Sequence, residues 1–211
     1  DMADFDLAIV GGGINGVGTF RDLALRGVEC LLVEKGDFSG GTSAYSSGMI
    51  HGGPRYMLGD VGVTKLSCLD SGYIQKLSPH LLFRIPFVYT VYQNRSFIEA
   101  QVMLESVESF FETYDHFIPL KNGRPHTRLS AKEAIQIEPN LPKEKLLGAV
   151  SFDEWGVDVP RLCIENVVDG IEHGSHAVNH TEVTQVLREG DVIKGVVLKD
   201  LLTGDERRTT C

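Results

Sequence analysis

Three glycines near the start of the chain have the GxGxxG spacing, which can bring a backbone close to a phosphate. They are Gly11, Gly13 and Gly16. In such a motif the first glycine permits a tight turn, the second lets the backbone approach a pyrophosphate, and the third lets a helix pack closely on a strand. Because the pattern alone is a weak signal, it indicates a binding site only with a strand before it, a helix after it and an acid further on.

The sequence around these glycines supplies all three elements. The apolar run at residues 5–10 predicts a buried parallel strand, and helical spacing over residues 13–26 predicts a helix that ends at Gly27. A second strand is predicted over residues 29–34, and Glu34 closes it where a ribose-binding acid is expected. The carboxylate of Glu34 would accept hydrogen bonds from ribose hydroxyls and repel a 2′-phosphate. The unit therefore predicts a dinucleotide site.

The composition excludes several other classes of function. The formal net charge of −9 and the lack of a Lys/Arg cluster argue against a nucleic-acid surface. We find no apolar run of membrane-spanning length and no secretory signal before Phe5. The four cysteines are far apart without a CxxC pair, which indicates reduced thiols in a cytoplasmic protein and neither a disulfide framework nor a metal site.

The remaining sequence alternates between irregular, helical and β-rich stretches. Residues 36–59 are rich in Gly and Ser and have no period, which is typical of a functional or a disordered loop. Pro86 predicts an edge position or a bulge for the strand that contains it. The predicted helices cover residues 60–77, 96–117, a short segment opened by a Ser130–Glu133 capping box, and 158–173; the predicted strands cover residues 82–92, 146–152, 178–188 and 192–199.

This order predicts an α/β protein in which a parallel sheet is interrupted by a second module. We assign residues 1–80 and 157–211 to a discontinuous cofactor-binding domain and residues 81–156 to a partial substrate or cap domain. The arrangement requires residues 178–183 to join the sheet that contains residues 5–10.

The loop after Glu34 bears on which dinucleotide is bound, because the glycine motif serves both NAD and FAD. Hydroxyl side chains and then a His-Gly-Gly and an Arg-Tyr pair lie on this glycine-rich segment, which could follow a cofactor from its pyrophosphate to its reactive ring. The alternative is a mobile surface loop. The residues are Thr42, Ser43, Ser46, Ser47, His51, Gly52, Gly53, Arg55 and Tyr56.

The same stretch resembles a known family. "DLAIVGGGINGVGTFRDLALRGVECLLVEKGDFSGGTSAYSSGMIHGGPRYM" is similar to the N-terminus of FAD-dependent glycerol-3-phosphate dehydrogenases, which belong to the wider D-amino-acid-oxidase-like and glutathione-reductase-like flavoenzymes. The resemblance continues through "LSPHLLF", "RLSAKEAIQIEPNL", "LLGAVSFDEWGVDVPRL" and "HTEVTQVLREGDVIKGVVLKDLLTGDE". It implies an FAD-binding Rossmann-like domain of the glutathione-reductase type with an inserted mixed α+β module.

The resemblance also implies roles for individual residues. The pyrophosphate would lie on Gly11, Gly13, Asn15 and Gly16, with further contacts from Thr42, Ser43, Ser46 and Ser47; the adenosine would contact Glu34, Lys35 and the backbone of Val183; the isoalloxazine would lie near His51, Gly52 and Gly53. Arg55, with Tyr56 beside it, would face the substrate as a catalytic and substrate-binding residue, the alternative being a surface salt bridge. Pro54 departs from the family pattern and leaves the path of the loop open.

The activity implied is oxidation of sn-glycerol 3-phosphate to dihydroxyacetone phosphate by hydride transfer to FAD, with the electrons passed to a quinone or a partner subunit. The location implied is the cytoplasm or the cytoplasmic face of a membrane, without a transmembrane segment. Two alternatives stay open: a related flavoprotein that oxidises a 2-hydroxy acid or an amino acid, and an FAD- or nucleotide-binding fragment without turnover. In the family the general base and further arginines follow the position of Cys211, so we expect the chain to be a fragment with little or no activity.

Overall fold

The computed structural model describes residues 4–94 and 96–211, which divide into two compact units. The first unit comprises the residues up to Gly48 together with Asp158–Cys211, and the second comprises Met49–Val157. The elements of the first unit are β1 (Leu7–Val10), α1 (Ile14–Leu25), β2 (Cys30–Val33), α5 (Val159–Glu172), β6 (His176–Val178), β7 (Thr181–Glu189), β8 (Val192–Asp200) and β9 (Glu206–Thr210). Those of the second unit are α2 (Val61–Leu77), β3 (Leu82–Tyr92), α3 (Phe97–Asp115), β4 (Thr127–Ser130), α4 (Ala131–Ile137) and β5 (Leu146–Val157), with three short 3-10 helices at Pro54–Leu58, Pro79–Leu81 and Ile118–Lys121.

The first unit contains a parallel sheet in the order β1-β2-β6 and an antiparallel sheet in the order β7-β8-β9. All four residues of β2 are buried, as expected for the central strand of a parallel sheet. On one side of the unit α1 and α5 pack together around Val17, Phe20 and Val167. On the other side Leu31 and Val33 pack with Val196 and other residues of β8. The predicted α/β fold with a parallel sheet is confirmed.

One predicted strand of this unit is two strands in the structure. The sequence predicted a continuous strand over residues 178–188, but β6 ends at Val178 and β7 begins at Thr181. His180 lies between them with a φ of 47°, a left-handed conformation outside the β region that interrupts a regular strand. The prediction that residues 178–183 join the sheet of residues 5–10 therefore holds at Val178, which pairs with Val33 in the parallel sheet, and is wrong for Val183, which pairs with Leu198 in the antiparallel sheet.

The second unit is built on an antiparallel sheet in the order β3-β5-β4. Pro86 lies in β3, at the edge of this sheet, where its missing N–H leaves no gap in a central ladder. The main hydrophobic core of the second unit joins α3 to the sheet through Leu104, Phe111, Tyr114 and Val150. A smaller core lies under α4, whose N-terminus carries the predicted capping box between Ser130 and Glu133.

Helix α2 has the reverse of the usual burial pattern. Its buried residues are small or polar, namely Thr64, Cys68, Ser71, Gly72 and Gln75. The apolar residues that supported the helix prediction, including Leu66, Tyr73 and Leu77, are exposed. The helix is therefore held by hydrogen bonds and close backbone packing on its buried side: Gln75 Nε2 donates to the carbonyl of Lys121 at 2.7 Å.

The first boundary between the units differs from the predicted one. The sequence predicts that residues up to 80 belong to the cofactor-binding part of the chain, whereas residues 49–80 belong to the second compact unit. The reason is the buried side of α2: Gly72 lies so close to the carbonyl of Leu120 that any Cβ would overlap it, and Ser71 binds the carbonyl of Ile50. The roles assigned to the two parts of the chain stay predictions.

Candidate functional site

The glycine-rich turn of the first unit joins β1 to α1. Gly11 follows β1 with a φ of 109°, which only glycine adopts readily. A Cβ on Gly16 would overlap the carbonyl oxygen of Gly11, so the third glycine is required by packing. Gly13 is the N-cap of α1 and provides no side-chain cap. The turn thus presents backbone amides at a helix N-terminus, an arrangement that suits an anion such as a pyrophosphate.

Glu34 stands at the end of β2 and binds this turn. Its Oε2 accepts from the amide of Gly12 at 2.7 Å, and its Oε1 accepts from the amide of Gly36 at 2.7 Å. A carboxylate offers about four acceptor positions, so the two oxygens can still accept from ribose hydroxyls. The sequence indicated the ribose contact but not the bracing of Gly12. Lys35, the next residue, is exposed.

The hydroxyl-bearing loop after β2 reaches back to the same helix. Ser43 Oγ accepts from the amide of Ile14 at 2.9 Å, so a side chain 29 residues further on satisfies the first turn of α1. Ser46 Oγ donates to the carbonyl of Ser43 at 3.0 Å and accepts from the amide of Gly48. Thr42 and Ser47 are exposed on this loop, as is Asn15 in the first turn of α1. Of these predicted pyrophosphate contacts, Ser43 is therefore brought directly to the N-terminus of α1, and Ser46 is linked to it through the carbonyl of Ser43.

Val183 is brought near Glu34 by the turn between β6 and β7. The amide of Thr181 donates to the carbonyl of Glu34 at 3.0 Å, and the amide of Glu34 donates to the carbonyl of Val178 at 2.9 Å. Val183 itself is partly buried against the core that contains Leu31. Val183, the predicted adenine contact, therefore lies in β7, whose first residue Thr181 is hydrogen-bonded to the backbone of Glu34.

The predicted flavin-side residues lie in the second unit. Gly52 and Gly53 are buried and His51 is half-buried, and Gly53 has a φ of 65°. The Nδ1 atom of His51 is buried and has no hydrogen-bond partner in the described part of the chain. Pro54 begins the 3-10 helix that follows, where a missing N–H leaves nothing unsatisfied. This departure from the family pattern is therefore compatible with the loop.

Arg55 and Tyr56 are exposed on that 3-10 helix. Arg55 Nη2 donates to the Tyr56 hydroxyl at 3.2 Å, and the guanidinium carbon lies 5.1 Å from the centre of the Tyr56 ring. The hydrogen bond to Tyr56 raises the pKa of Arg55. No carboxylate partner of Arg55 is present among the described residues, so its permanent charge is available to an anion.

Sequence reasoning missed a buried group of polar side chains behind the His51–Gly53 loop. Lys121 and Glu154 form an ion pair at 2.7 Å with Lys121 fully buried, and the Tyr114 hydroxyl donates to Glu154 at 2.8 Å. No motif marks these residues, because they lie far apart in the sequence and the signal is only their burial. In contrast, no group of three or more His, Cys, Asp or Glu residues within residues 4–94 and 96–211 is placed to hold a metal ion.

Together the parallel sheet, the glycine turn and the acid at the end of β2 define a dinucleotide-binding α/β protein with an inserted antiparallel unit. The chain belongs to the family described as FAD dependent oxidoreductase (DAO), whose model matches residues 6–210. The family has this α/β fold and uses FAD, so the choice of FAD over NAD is confirmed at the level of the family.

Named relatives match almost the whole chain. It is 32% identical over 209 residues to the aerobic glycerol-3-phosphate dehydrogenase of Bacillus subtilis, covering 96% of this chain and 36% of that protein. It is 33% identical over 201 residues to the alpha-glycerophosphate oxidase of Streptococcus pneumoniae, covering 94% of this chain and 33% of that protein. The chain thus spans about a third of the length of these curated relatives.

The structure resembles that of the glycerol-3-phosphate dehydrogenase from Bacillus halodurans complexed with FAD, with a TM-score of 0.72 and 24% identity. The match covers 99% of this chain and 33% of the other. At this identity the likeness establishes the fold. Over the residues that the structure describes, no helix has the length and apolar character needed to cross a membrane.

Proposed function

We propose that the chain is the FAD-binding part of a dehydrogenase that oxidises sn-glycerol 3-phosphate to dihydroxyacetone phosphate. The observation that carries the proposal is the family match over residues 6–210, within which relatives of 32–33% identity are named glycerol-3-phosphate dehydrogenase and alpha-glycerophosphate oxidase. Because the chain spans about a third of those relatives, the proposal concerns the whole protein that contains it.

The residues present in the first unit fit FAD. The turn at residues 11–16 requires glycine at position 11 for its backbone conformation and at position 16 for packing, and it offers amides to a pyrophosphate. Glu34 has acceptor positions left for the ribose, and Ser43 supports the helix N-terminus on which the phosphates would lie. In the second unit, we propose that the His51–Gly53 loop lies on the flavin side, where the buried and unpartnered Nδ1 of His51 could meet a ligand atom.

Bound FAD would supply a two-electron acceptor for the hydride of the secondary alcohol carbon. The chain's own contribution on the substrate side is Arg55, which we propose binds the phosphate of the substrate. A guanidinium is suited to this because its planar fork donates two parallel hydrogen bonds and stays charged. Its contact with Tyr56 restricts the side chain before the substrate arrives. We assign no general base to the described residues, and we propose a quinone or a partner subunit as the electron acceptor.

We further propose a cytoplasmic location, including the cytoplasmic face of a membrane. All four cysteines of the chain are free thiols, and three of them are buried. Unpaired cysteines are typical of reducing compartments.

Two spectra test the proposal. The purified whole protein that contains this chain should show the flavin absorbance bands and should retain no NAD. Glycerol 3-phosphate should bleach those bands under anaerobic conditions, whereas 2-hydroxyglutarate and amino acids should not. Bleaching by an amino acid or a 2-hydroxy acid instead would identify the other class of flavoprotein, and a protein without flavin would contradict the proposal.

Arg55→Lys tests the substrate side in the whole protein. We expect a higher KM for glycerol 3-phosphate and an incomplete loss of dye reduction, because lysine keeps the charge but lacks the bidentate fork. FAD binding should be unchanged, since the pyrophosphate contacts belong to other residues. Arg124→Lys, at another exposed arginine of the second unit, is the matched control. Equal kinetics in both variants would remove Arg55 from the substrate site.

A further inference from the structure

Three buried polar residues of the second unit form a group that we call the Glu154 cluster: Glu154, Lys121 and Tyr114. All three are buried to 2% exposure or less. Glu154 comes from β5, Tyr114 from α3, and Lys121 from the 3-10 helix that follows α3. A buried ion pair is often no more stable than apolar residues of the same size, so its presence calls for a reason other than stability.

Among the described residues the Glu154 carboxylate has three donors, and one of them belongs to the flavin-side loop. Oε2 accepts from Lys121 Nζ at 2.7 Å and from the amide of Gly52 at 3.3 Å. Oε1 accepts from the Tyr114 hydroxyl at 2.8 Å. The Lys121 ammonium also lies 4.7 Å from the centre of the Tyr114 ring and donates to the carbonyl of Asp153 at 3.3 Å. Lys121 and Tyr114 thus fix the orientation of the Glu154 carboxylate, and the carboxylate in turn accepts from the amide of Gly52.

The rest of the loop backbone is held by the polar side of α2. Ser71 Oγ donates to the carbonyl of Ile50 at 2.6 Å, and Thr64 Oγ1 donates to the carbonyl of Gly53 at 3.2 Å. Cys68 Sγ lies 3.8 Å from the carbonyl of Gly52. Residues 64, 68 and 71 share one face of the helix because they are four and three positions apart. This accounts for the reversed burial of α2.

The packing around Gly52 leaves no room for a side chain at this position. A Cβ on Gly52 would overlap both the Tyr114 hydroxyl and the Cys68 sulfur. Burial raises the pKa of Cys68 and, more strongly, that of Tyr114. Both groups therefore stay protonated and remain donors over the physiological pH range.

We propose that Glu154, oriented by Lys121 and Tyr114, is a positioning residue that fixes the peptide of Gly52 in the flavin-side loop. The inference rests on the proposed function, which places residues 51–53 beside the flavin. The inference adds that a buried ion pair sets the orientation of this loop. The midpoint potential of the bound flavin would then depend on residues that do not contact the flavin.

The test uses the double variant Lys121→Met/Glu154→Gln, which removes both charges and keeps the side-chain volumes close to the original. Tyr114→Phe is a milder second variant that removes one donor and retains the ion pair. The matched control is Arg84→Gln/Asp153→Asn, which removes the neighbouring ion pair at 3.2 Å, whose side chains make no hydrogen bond to residues 50–53 among the described contacts. Two quantities are measured: amide hydrogen exchange at Gly52, and the midpoint potential of the bound flavin.

We expect amide exchange at Gly52 to rise about tenfold in the double variant, as the loss of a charge-assisted hydrogen bond implies, with a smaller rise in Tyr114→Phe. Exchange in α3 and in the control should stay as in the wild type. FAD affinity should be retained, while the ratio of reduced to oxidised flavin at a fixed potential changes about tenfold, which is about 30 mV for a two-electron couple.

The outcomes separate the inference from the proposed function. Unchanged exchange at Gly52, a uniform rise over the whole unit, or an unchanged flavin potential would overturn the positioning role. Absence of flavin from the whole protein that contains this chain would overturn the proposed function, and a selective rise at Gly52 would then still support the fixing of the loop by Glu154.

Discussion

Two loops, the turn at residues 11–16 and the loop at residues 51–53, each donate a backbone amide to one glutamate. The two glutamates differ in their burial and in their other hydrogen-bond partners. Glu34 accepts from the amide of Gly12 in the first unit, and Glu154 accepts from the amide of Gly52 in the second. Glu34 is half-buried and bonded only to backbone amides in the described hydrogen bonds. Glu154 is fully buried, and a lysine and a tyrosine fill its remaining positions.

This difference separates a loop whose backbone groups are left for a ligand from a loop whose backbone groups are held by the protein. In the first unit the loop is shaped by sterics at Gly11 and Gly16, which leaves amides and carboxylate positions for a ligand. In the second unit the carbonyl or amide groups of Ile50, Gly52 and Gly53 are bonded to protein groups. A loop that binds a ligand through its backbone must leave some amide or carbonyl groups without a protein partner. A loop whose backbone is only held in place can have all of these groups hydrogen-bonded to the protein.

The largest effect is expected from leaving Glu154 without its cation. Lys121→Met should lower the free energy of unfolding by about 3–5 kcal/mol, because an unpaired buried carboxylate remains. Chemical denaturation of the second unit measures this loss. The double variant Lys121→Met/Glu154→Gln should recover most of the lost stability. A single variant as stable as the wild type would show that the pair is hydrated.

Removing the other glutamate should act mainly on the ligand. Glu34→Ala should weaken FAD binding roughly ten- to a hundredfold, equivalent to about 1.5–3 kcal/mol for a lost charge-assisted hydrogen bond. Isothermal titration with FAD measures it. Glu34→Gln keeps an acceptor oxygen and should fall between the two. If FAD affinity is unchanged in Glu34→Ala, the carboxylate serves only the turn.

Two glycine-to-alanine variants in the first unit distinguish the effect of a steric clash on stability from the effect of helix propensity. Gly16→Ala should destabilise the first unit by about 1–3 kcal/mol, because the new Cβ would overlap the Gly11 carbonyl. Gly18→Ala, one half-turn further along α1 with open space at its Cβ, should instead stabilise the protein by about 0.5–1 kcal/mol. Thermal melts compare the two. Equal effects would mean that the turn relaxes to admit the side chain.

For a change of a fraction of a pH unit, the smallest effect is the dependence of the stability of the second unit on alkaline pH. Tyr114 and Cys68 have raised pKa values owing to burial, so above their usual values of 10.0 and 9.0 the unfolded chain loses protons that the folded chain keeps. Stability is therefore fully present below about pH 9 and falls as pH rises, by up to about 1.4 kcal/mol per pH unit for each group. Denaturation midpoints from pH 8 to pH 10.5 measure the slope. Tyr114→Phe should flatten it above pH 10, and an unchanged slope would exclude Tyr114 as its source.

The sequence predicted the first half of the Rossmann-like unit accurately because each of its signals is local. The apolar run, the glycine spacing and Gly27 determine β1, α1 and β2 within one or two residues. The helices at 97–115 and 159–172 were predicted for the same reason, since Ser96 and Asp158 are side-chain N-caps. In contrast, β4 and β9 were missed, because both are short polar segments that become strands only through pairing with β5 and β8.

The site divides in the same way. Gly11, Gly16, Glu34 and Ser43 could be selected from spacing and a family resemblance. Glu154 and its partners could not, because a lysine and a glutamate in separate elements show their pairing only when the fold buries them. The reversed face of α2 was invisible for a related reason: its exposed Leu66 and Leu77 have the spacing that normally marks a buried side.

The order of the strands in the first unit has a consequence for synthesis on the ribosome. β2 pairs with both β1 and β6. Residues 49–157 are translated after β2 and before β6. At about 5–20 residues per second, that segment takes about 5–20 s to translate. The second unit is continuous and can fold as it emerges, whereas the wholly apolar edge of β2 stays unpaired throughout. Nascent chains of this protein are therefore most exposed to misassociation, and most in need of a chaperone, before His176 leaves the exit tunnel.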